Sequence, residues 1–151
     1  MEVKDLVKKY LPTVNIMQLA SSNDNQPWVC TVHFYHDDDL NFYWVSTPER
    51  RHSQDIKTNS KVSITVLVHE NTPDEPYVIG ISLEGTATLI GRDPEDTVVE
   101  AYQNKHGKDP EFMKAVKNGT NPHQFYKFTP KNIVMFNNKD FPDNPRQEWT
   151  V

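Results

Sequence analysis

The chain of 151 residues holds a single cysteine, Cys30, which excludes an internal disulfide and any zinc site built on several cysteines. Glycine is almost as scarce. Gly80, Gly85, Gly91, Gly107 and Gly119 are all there is, and their spacing spells neither GxGxxG nor a P-loop. GxSxG and HExxH are also missing. No apolar run approaches the ~20 residues that a membrane-spanning helix needs. No long basic stretch occurs either. The 16 Lys+Arg are outnumbered by 21 Asp+Glu, for a formal charge of −5. That balance disfavours tight nucleic-acid binding, which rests on neutralising phosphates, and binding to anionic lipid. The first ten residues, MEVKDLVKKY, are charged from the second position and contain no hydrophobic signal core, so the expected location is the cytoplasm.

What is present suits one domain over residues 1–151. Three tryptophans, six tyrosines and seven phenylalanines supply much of a hydrophobic content of 36%, and eleven prolines mark many element boundaries. Residues 2–11 space Val3, Leu6, Val7, Tyr10 and Leu11 as one helix face, which Pro12 ends. Residues 14–20, 28–35 and 40–46 read as a meander of three strands, with a turn cluster SSNDNQP and an acidic turn Asp37-Asp38-Asp39 between them. Thr47 suits an N-cap and Pro48 a first helical position, so a helix is expected over 48–58. Residues 61–68 form a strand. Residues 77–90 are long for a flat strand, and Gly80 and Gly85 suggest a bend or bulge within it. Helices are expected at 94–105 and, for a turn or two, at 110–117. Residues 123–129 and 132–137 read as a hairpin across Pro130, followed by a polar tail. Six or seven mostly antiparallel strands with three short helices predict a mainly β protein, a small closed or split barrel with helices packed outside.

The chemistry concentrates in residues 45–56, VSTPERRHSQDI. A helix start carries positive partial charge, so Arg50, Arg51 and His52 there are electrostatically misplaced unless an anion sits among them. Backbone N–H groups, the hydroxyls of Ser46 and Thr47 and guanidinium forks can together hold a phosphate without glycine. Successive helical residues turn by about 100°, so not all three cations face one phosphate, and Arg51 and His52 are the favoured pair. The plainer reading leaves Arg50 and Arg51 as surface charges paired with Glu49 or Asp55.

The segments TVNIMQLASS, QPWVCTVHFY, LNFYWVS, STPERRHSQDIKTNSKVSITV and ISLEGTATLI, in that order over residues 13–90, resemble the pyridoxamine 5'-phosphate oxidase-like family of FMN-binding split β-barrels, in its general-stress-protein-like branch. RRHSQDIKTNSKVSI is the most specific part. The resemblance implies a six- to seven-stranded antiparallel split barrel that binds FMN at a homodimer interface and acts as an oxidoreductase on a small-molecule substrate. It implies that Val29, Cys30 and Thr31 line the flavin ring, partly through backbone groups. Val45, Ser46 and Thr47 would meet the ribityl chain and phosphate, and Arg51 and His52 the phosphate. The partner's 82–86 strand would close the pocket. Two features depart from the oxidase proper. His52 stands where an Arg or Lys is usual, and the ending RQEWTV does not reproduce the substrate-binding Arg and His motif. The same barrel could instead take a deazaflavin, or haem through His33, His36, His69 or His123, or serve as a non-enzymatic small-ligand-binding module.

Other residues read as structural. His33 and His36, three apart in a strand, point to opposite sides and cannot share a metal. Cys30 reads as a small core residue, and Trp28 and Trp44 as core or interface aromatics. His106 and Asp109 have no visible chemical partner. Trp149 anchors the C-terminus or covers the cofactor.

Overall fold

From Lys61 to Leu67 every second residue is buried, the alternation of a strand with one face on a core and one face outward. Seven further strands and four α-helices complete the fold, described for residues 1–151 on a computed structural model. In chain order they are α1 (Val3–Tyr10), β1 (Ile16–Asn23), β2 (Gln26–His33), β3 (Tyr35–His36), β4 (Phe42–Ser46), α2 (Arg51–Thr58), β5 (Lys61–His69), β6 (Ile79–Gly91), α3 (Asp96–His106), α4 (Pro110–Asn118), β7 (Gln124–Asn137) and β8 (Arg146–Thr150). One antiparallel sheet runs β2-β1-β5-β6-β7-β4-β3, with β8 added alongside β7. Curled on itself, this sheet is the expected split barrel.

The interior is filled by the inward residues of these strands, among them Leu19, Phe42, Trp44, Ile64, Ile81, Phe128 and Ile133, and is capped by Leu6, Val7 and Leu11. A smaller cluster of Tyr43, Val98, Tyr102, Met113, Val116 and Phe125 lies where α3 and α4 cover the back of β4 and β7. β4 is therefore apolar on both faces, which is why FYWV shows no alternation.

Four expectations are corrected. The meander breaks after β2: the β1–β2 hairpin forms, but β4 pairs with β7 and the two-residue β3, at the far end of the sheet. Asp37 builds the intervening turn, its carboxylate accepting from the amides of Asp39 and Asn41, from Asn41 Nδ2 and from the Tyr43 hydroxyl. The hairpin across Pro130 is instead one strand, β7, of 14 residues. Its pairing with β6 slips between Glu84 and Gly85, opposite Asn132 and Pro130, so the proline occupies a bulge. A Cβ at Gly85 would stand 2.0 Å from the Thr129 carbonyl oxygen, so only glycine lets the strands approach there. The tail is not all loop: Gln147 and Trp149 turn inward, alternating with exposed Arg146, Glu148 and Thr150, and β8 pairs Trp149 with Ile133. Trp149 anchors the terminus, with the Lys4 ammonium over its ring at 5.6 Å. The helix expected over 48–58 begins at Arg51, because residues 47–50 form a turn closed by the Arg50 amide on the Thr47 carbonyl.

Candidate functional site

β2 is an end strand of the sheet, paired only with β1. The pairing sums to a constant register, and the Phe34 amide bonds the Asn15 carbonyl in phase with it. Antiparallel ladders alternate bonded and unbonded pairs. Even-numbered residues of β2 therefore spend their backbone groups on β1, and Val29, Thr31 and His33 point theirs outward. Pro27 falls in the outward set and forfeits no ladder bond.

Side chains follow the same parity. Trp28, Cys30 and Val32 turn toward α2 and the barrel, while Val29 and Thr31 face out. Trp28 lies beneath the Arg51 guanidinium, 4.2 Å from its centre to the ring. It is 40% exposed, so it is neither core nor idle. Cys30 Sγ lies 3.4 Å from His52 Nδ1, and His52 Nε2 lies 2.8 Å from Ser46 Oγ. This chain crosses the split: Cys30 belongs to one end of the sheet, Ser46 to β4 near the other, and His52 joins them from α2. Burial lowers the His52 pKa, reinforced by the charge of Arg50, and burial raises that of the Cys30 thiol, so the pair is neutral. A neutral imidazole donates from one nitrogen and accepts at the other, which matches these two neighbours.

The start of α2 is rich in unspent donors. Arg50 is its N-cap and makes no side-chain capping bond. The first intrahelical acceptor, the Arg50 carbonyl, is taken by Gln54, and the amides of Arg51, His52 and Ser53 have no partner in the chain. Neither guanidinium forms the surface ion pair considered above. Asp55 lies one turn along from Arg51 but is buried, its carboxylate engaged instead by Ser21 Oγ, which donates to it at 2.7 Å. Two guanidiniums without an ion pair, that of Arg51 resting on Trp28, and three unpartnered amides at one helix start are the groups from which an anion site is built.

The residues expected at a cofactor divide accordingly. Val29 and Thr31 present free peptide edges, with Thr31 Oγ1 donating to Gln18 Oε1. Arg51 stands at the helix start and Thr47 at the strand end. Cys30, Ser46 and His52 are brought together but turned inward and bonded to one another, which leaves the His52 backbone N–H, not its ring, facing the helix start. Val45 packs into the α3–α4 cluster, on the other face of β4 from Ser46. Segment 82–86 lies on β6, separated from β2 by β1 and β5. It borders a cleft of about 650 Å³ that also takes in Ser21, Pro27, Lys61 and Lys131 but no part of the α2 start. Sequence reasoning missed Trp28 as the platform for Arg51. Its signal was parity, two residues before Cys30 on the same strand face.

The histidines named for haem differ in freedom. His36 and His69 bond backbone carbonyls through Nδ1, and His123 bonds Asn121 Oδ1. His33 makes no hydrogen bond through its ring and stacks on His106 at 4.7 Å. No group of three or more His, Cys, Asp or Glu residues is placed to hold a metal ion.

No curated protein matches the chain in sequence. Solved structures match closely in fold. General Stress Protein 26 from Bacillus anthracis superimposes with a TM-score of 0.66 at 16% identity, each chain covered in full (100% and 100%). HutZ, the heme storage protein from Vibrio cholerae, gives 0.68 at 17% identity over 87% of this chain and 92% of its own. The heme binding protein from Mycobacterium smegmatis gives 0.70 at 12% identity over 99% of this chain and 58% of that one. Identities this low speak for the fold alone. A family model adds the sequence evidence, matching residues 3–137, from the first turn of α1 to the end of β7. Barrel topology, the split and that match agree: the chain belongs to the pyridoxamine 5'-phosphate oxidase family.

Proposed function

We propose that the chain is an FMN-binding flavoprotein and a flavin-dependent oxidoreductase, with its cofactor on the ledge formed by the β2 edge and the start of α2. The observation that carries this reading is the pairing of unspent donors with a free strand edge. Arg50, Arg51 and three open amides suit a phosphate, and the outward N–H and C=O groups of Val29 and Thr31 suit the donor–acceptor edge of a planar heterocycle. FMN, when bound, supplies the hydride or electron chemistry. The protein's own part is to hold the phosphate, orient the ring along β2 and keep that edge from pairing elsewhere.

The ledge is open in a single chain, and a second copy supplies its missing wall. Support comes from the outer face of the sheet, where the register aligns Thr31, Gln18, Thr65, Ser82 and Val134 in one row without a charge. Ile16, Val29, Leu67 and Phe136 stand exposed around it. A partly apolar stretch of this face across five strands, bordered by the charges of Lys61 and Glu84, suits a twofold contact.

Titration of flavin fluorescence with the protein and with Arg51→Ala tests the site. Loss of a charge-assisted contact to phosphate, ~1.5–3 kcal/mol, weakens binding about ten- to a hundredfold. Unchanged affinity would refute the phosphate assignment. Sedimentation of the same samples reads the dimer. The heme proteins among the structural neighbours favour one rival. A protein that ignores FMN but gains a Soret band with haem, lost in His33→Ala, belongs to that reading instead.

A further inference from the structure

On the opposite side of α2 from Arg51 lies a second pocket, of about 450 Å³, between that helix and strands β6 and β7. Residues two apart on a helix are turned by about 200°, so Ser53 points away from the ledge as Arg51 points toward it. The pocket floor is fixed by the Ala87 amide, which donates to the Ser60 carbonyl at 2.8 Å and ties the end of α2 to β6. Its apolar lining comes from Pro48, Ile56, Ala87 and Leu89.

Two hydroxyls in this lining are unspent. Ser53 is 4% exposed and its Oγ has no hydrogen-bond partner. Tyr126 is 3% exposed, is held by stacking on Trp44 at 5.7 Å, and its hydroxyl makes no hydrogen bond within the chain. Buried polar groups are nearly always paired, so the orphaned Ser53 hydroxyl in the wall of this pocket points to something that pairs it, and the Tyr126 hydroxyl, which is open to water rather than sealed off, is a second donor available to the same occupant. The rim carries Lys57, free of any ion pair, and no acidic residue lines the pocket. Apolar walls, two hydroxyls and one cation complement a molecule with a hydrocarbon body and a carboxylate.

We infer that this α2–β6 pocket binds a small aromatic carboxylate, held by Ser53 and Tyr126 through its oxygens, by Lys57 through its charge, and by Ile56 and Leu89 through its ring. Its volume falls in the range of small-molecule sites. The inference stands apart from the flavin reading: the two sites share only Ser53, through its backbone N–H at the helix start and its hydroxyl in the pocket, and no other residue of the pocket belongs to the β2 edge or carries a cation of the ledge.

The test is titration of the full chain with benzoate, followed by amide ¹H–¹⁵N correlation spectra, with benzyl alcohol as the uncharged comparison. The expected result is saturable shifts at Ser53, Gln54, Lys57, Thr88 and Leu89 with a Kd below about 10 mM. Ser53→Ala and Lys57→Met each weaken benzoate at least about threefold, and benzyl alcohol binds more weakly than benzoate. Ser53→Ala removes only an unpartnered hydroxyl, and Lys57 is exposed, so both variants keep the fold, which their own spectra verify. Absence of saturable shifts overturns the inference. So do shifts confined to Val29, Thr31 and Arg51, or equal benzoate affinity in the wild type and both variants. Adding FMN beforehand leaves the expected shifts at Lys57, Thr88 and Leu89 in place, and a chain that fails to bind FMN is still tested in full.

Discussion

Replacing His52 with alanine separates two roles for the same residue. In the structure the imidazole is 6% exposed and bridges Cys30 of β2 to Ser46 of β4. His52→Ala removes a hydrogen bond worth ~1 kcal/mol and leaves the Ser46 hydroxyl, itself 6% exposed, unpaired at a further ~1–3 kcal/mol. The lost ring volume adds a cavity term, for a total of about 3–4 kcal/mol. For a chain of this size that lowers Tm by roughly 6–15 °C. His52→Gln keeps a donor and an acceptor on a side chain of similar reach and recovers part of the loss. The assay is urea and thermal unfolding without cofactor near pH 7.5, beside FMN titration of the same proteins. A stability change under about 0.5 kcal/mol together with a large fall in FMN affinity would refute the bridge and make the ring a phosphate ligand.

Two further outcomes are expected. Gly85→Ala forces a Cβ to 2.0 Å from the Thr129 carbonyl and against the Phe128 ring, a backbone clash that side-chain motion cannot relieve. It should cost at least ~1–3 kcal/mol in urea unfolding, and a neutral result would mean that the β6–β7 bulge yields. The second concerns acid. His33, His36, His52, His106 and His123 all have pKa values below their ordinary 6.5, in each case first through burial, and His106 is pushed down to about 4. The unfolded chain therefore binds protons first, so stability is fully present above about pH 6.5 and drains away as pH falls toward 4. His106→Gln should flatten the acid end of that decline, and stability that stays level from about pH 7.5 to 4.5 would contradict it.

Much of this architecture was legible in the residues. KVSITVL alternates, the turn at Asp24 and Asn25 sits between two apolar runs, and each yielded its element. The failures share a cause: partners distant in sequence decide what local pattern leaves open. FYWVS reads equally as the third strand of a meander or as a strand buried between two layers, and only its pairing with β7 and the packing of α3 and α4 decide it. Pro130 looks like a break until Gly85 is seen opposite, making room for the bulge. In β8 the inward set is only Gln147 and Trp149, too little apolar content to signal a strand alone. At the site, the cationic helix start could be read directly, because cations at an N-terminus violate the dipole rule. The inward turn of His52 could not, since it depends on Cys30 and Ser46 arriving from opposite ends of the sheet.

The free edge of β2 also bears on solubility. An unpaired strand edge is a template on which any extended chain can grow a sheet, and soluble proteins shield such edges. Pro27 lies in the outward register at the start of this one and offers an incoming strand no N–H. The two-residue turn beside it, with Asp24 and Asn25 at positive φ, twists the hairpin tip. Only the stretch from Val29 to His33 is left able to pair with another chain. Occupying that stretch guards the protein against self-association, so conditions that empty the ledge should also be those in which it aggregates soonest.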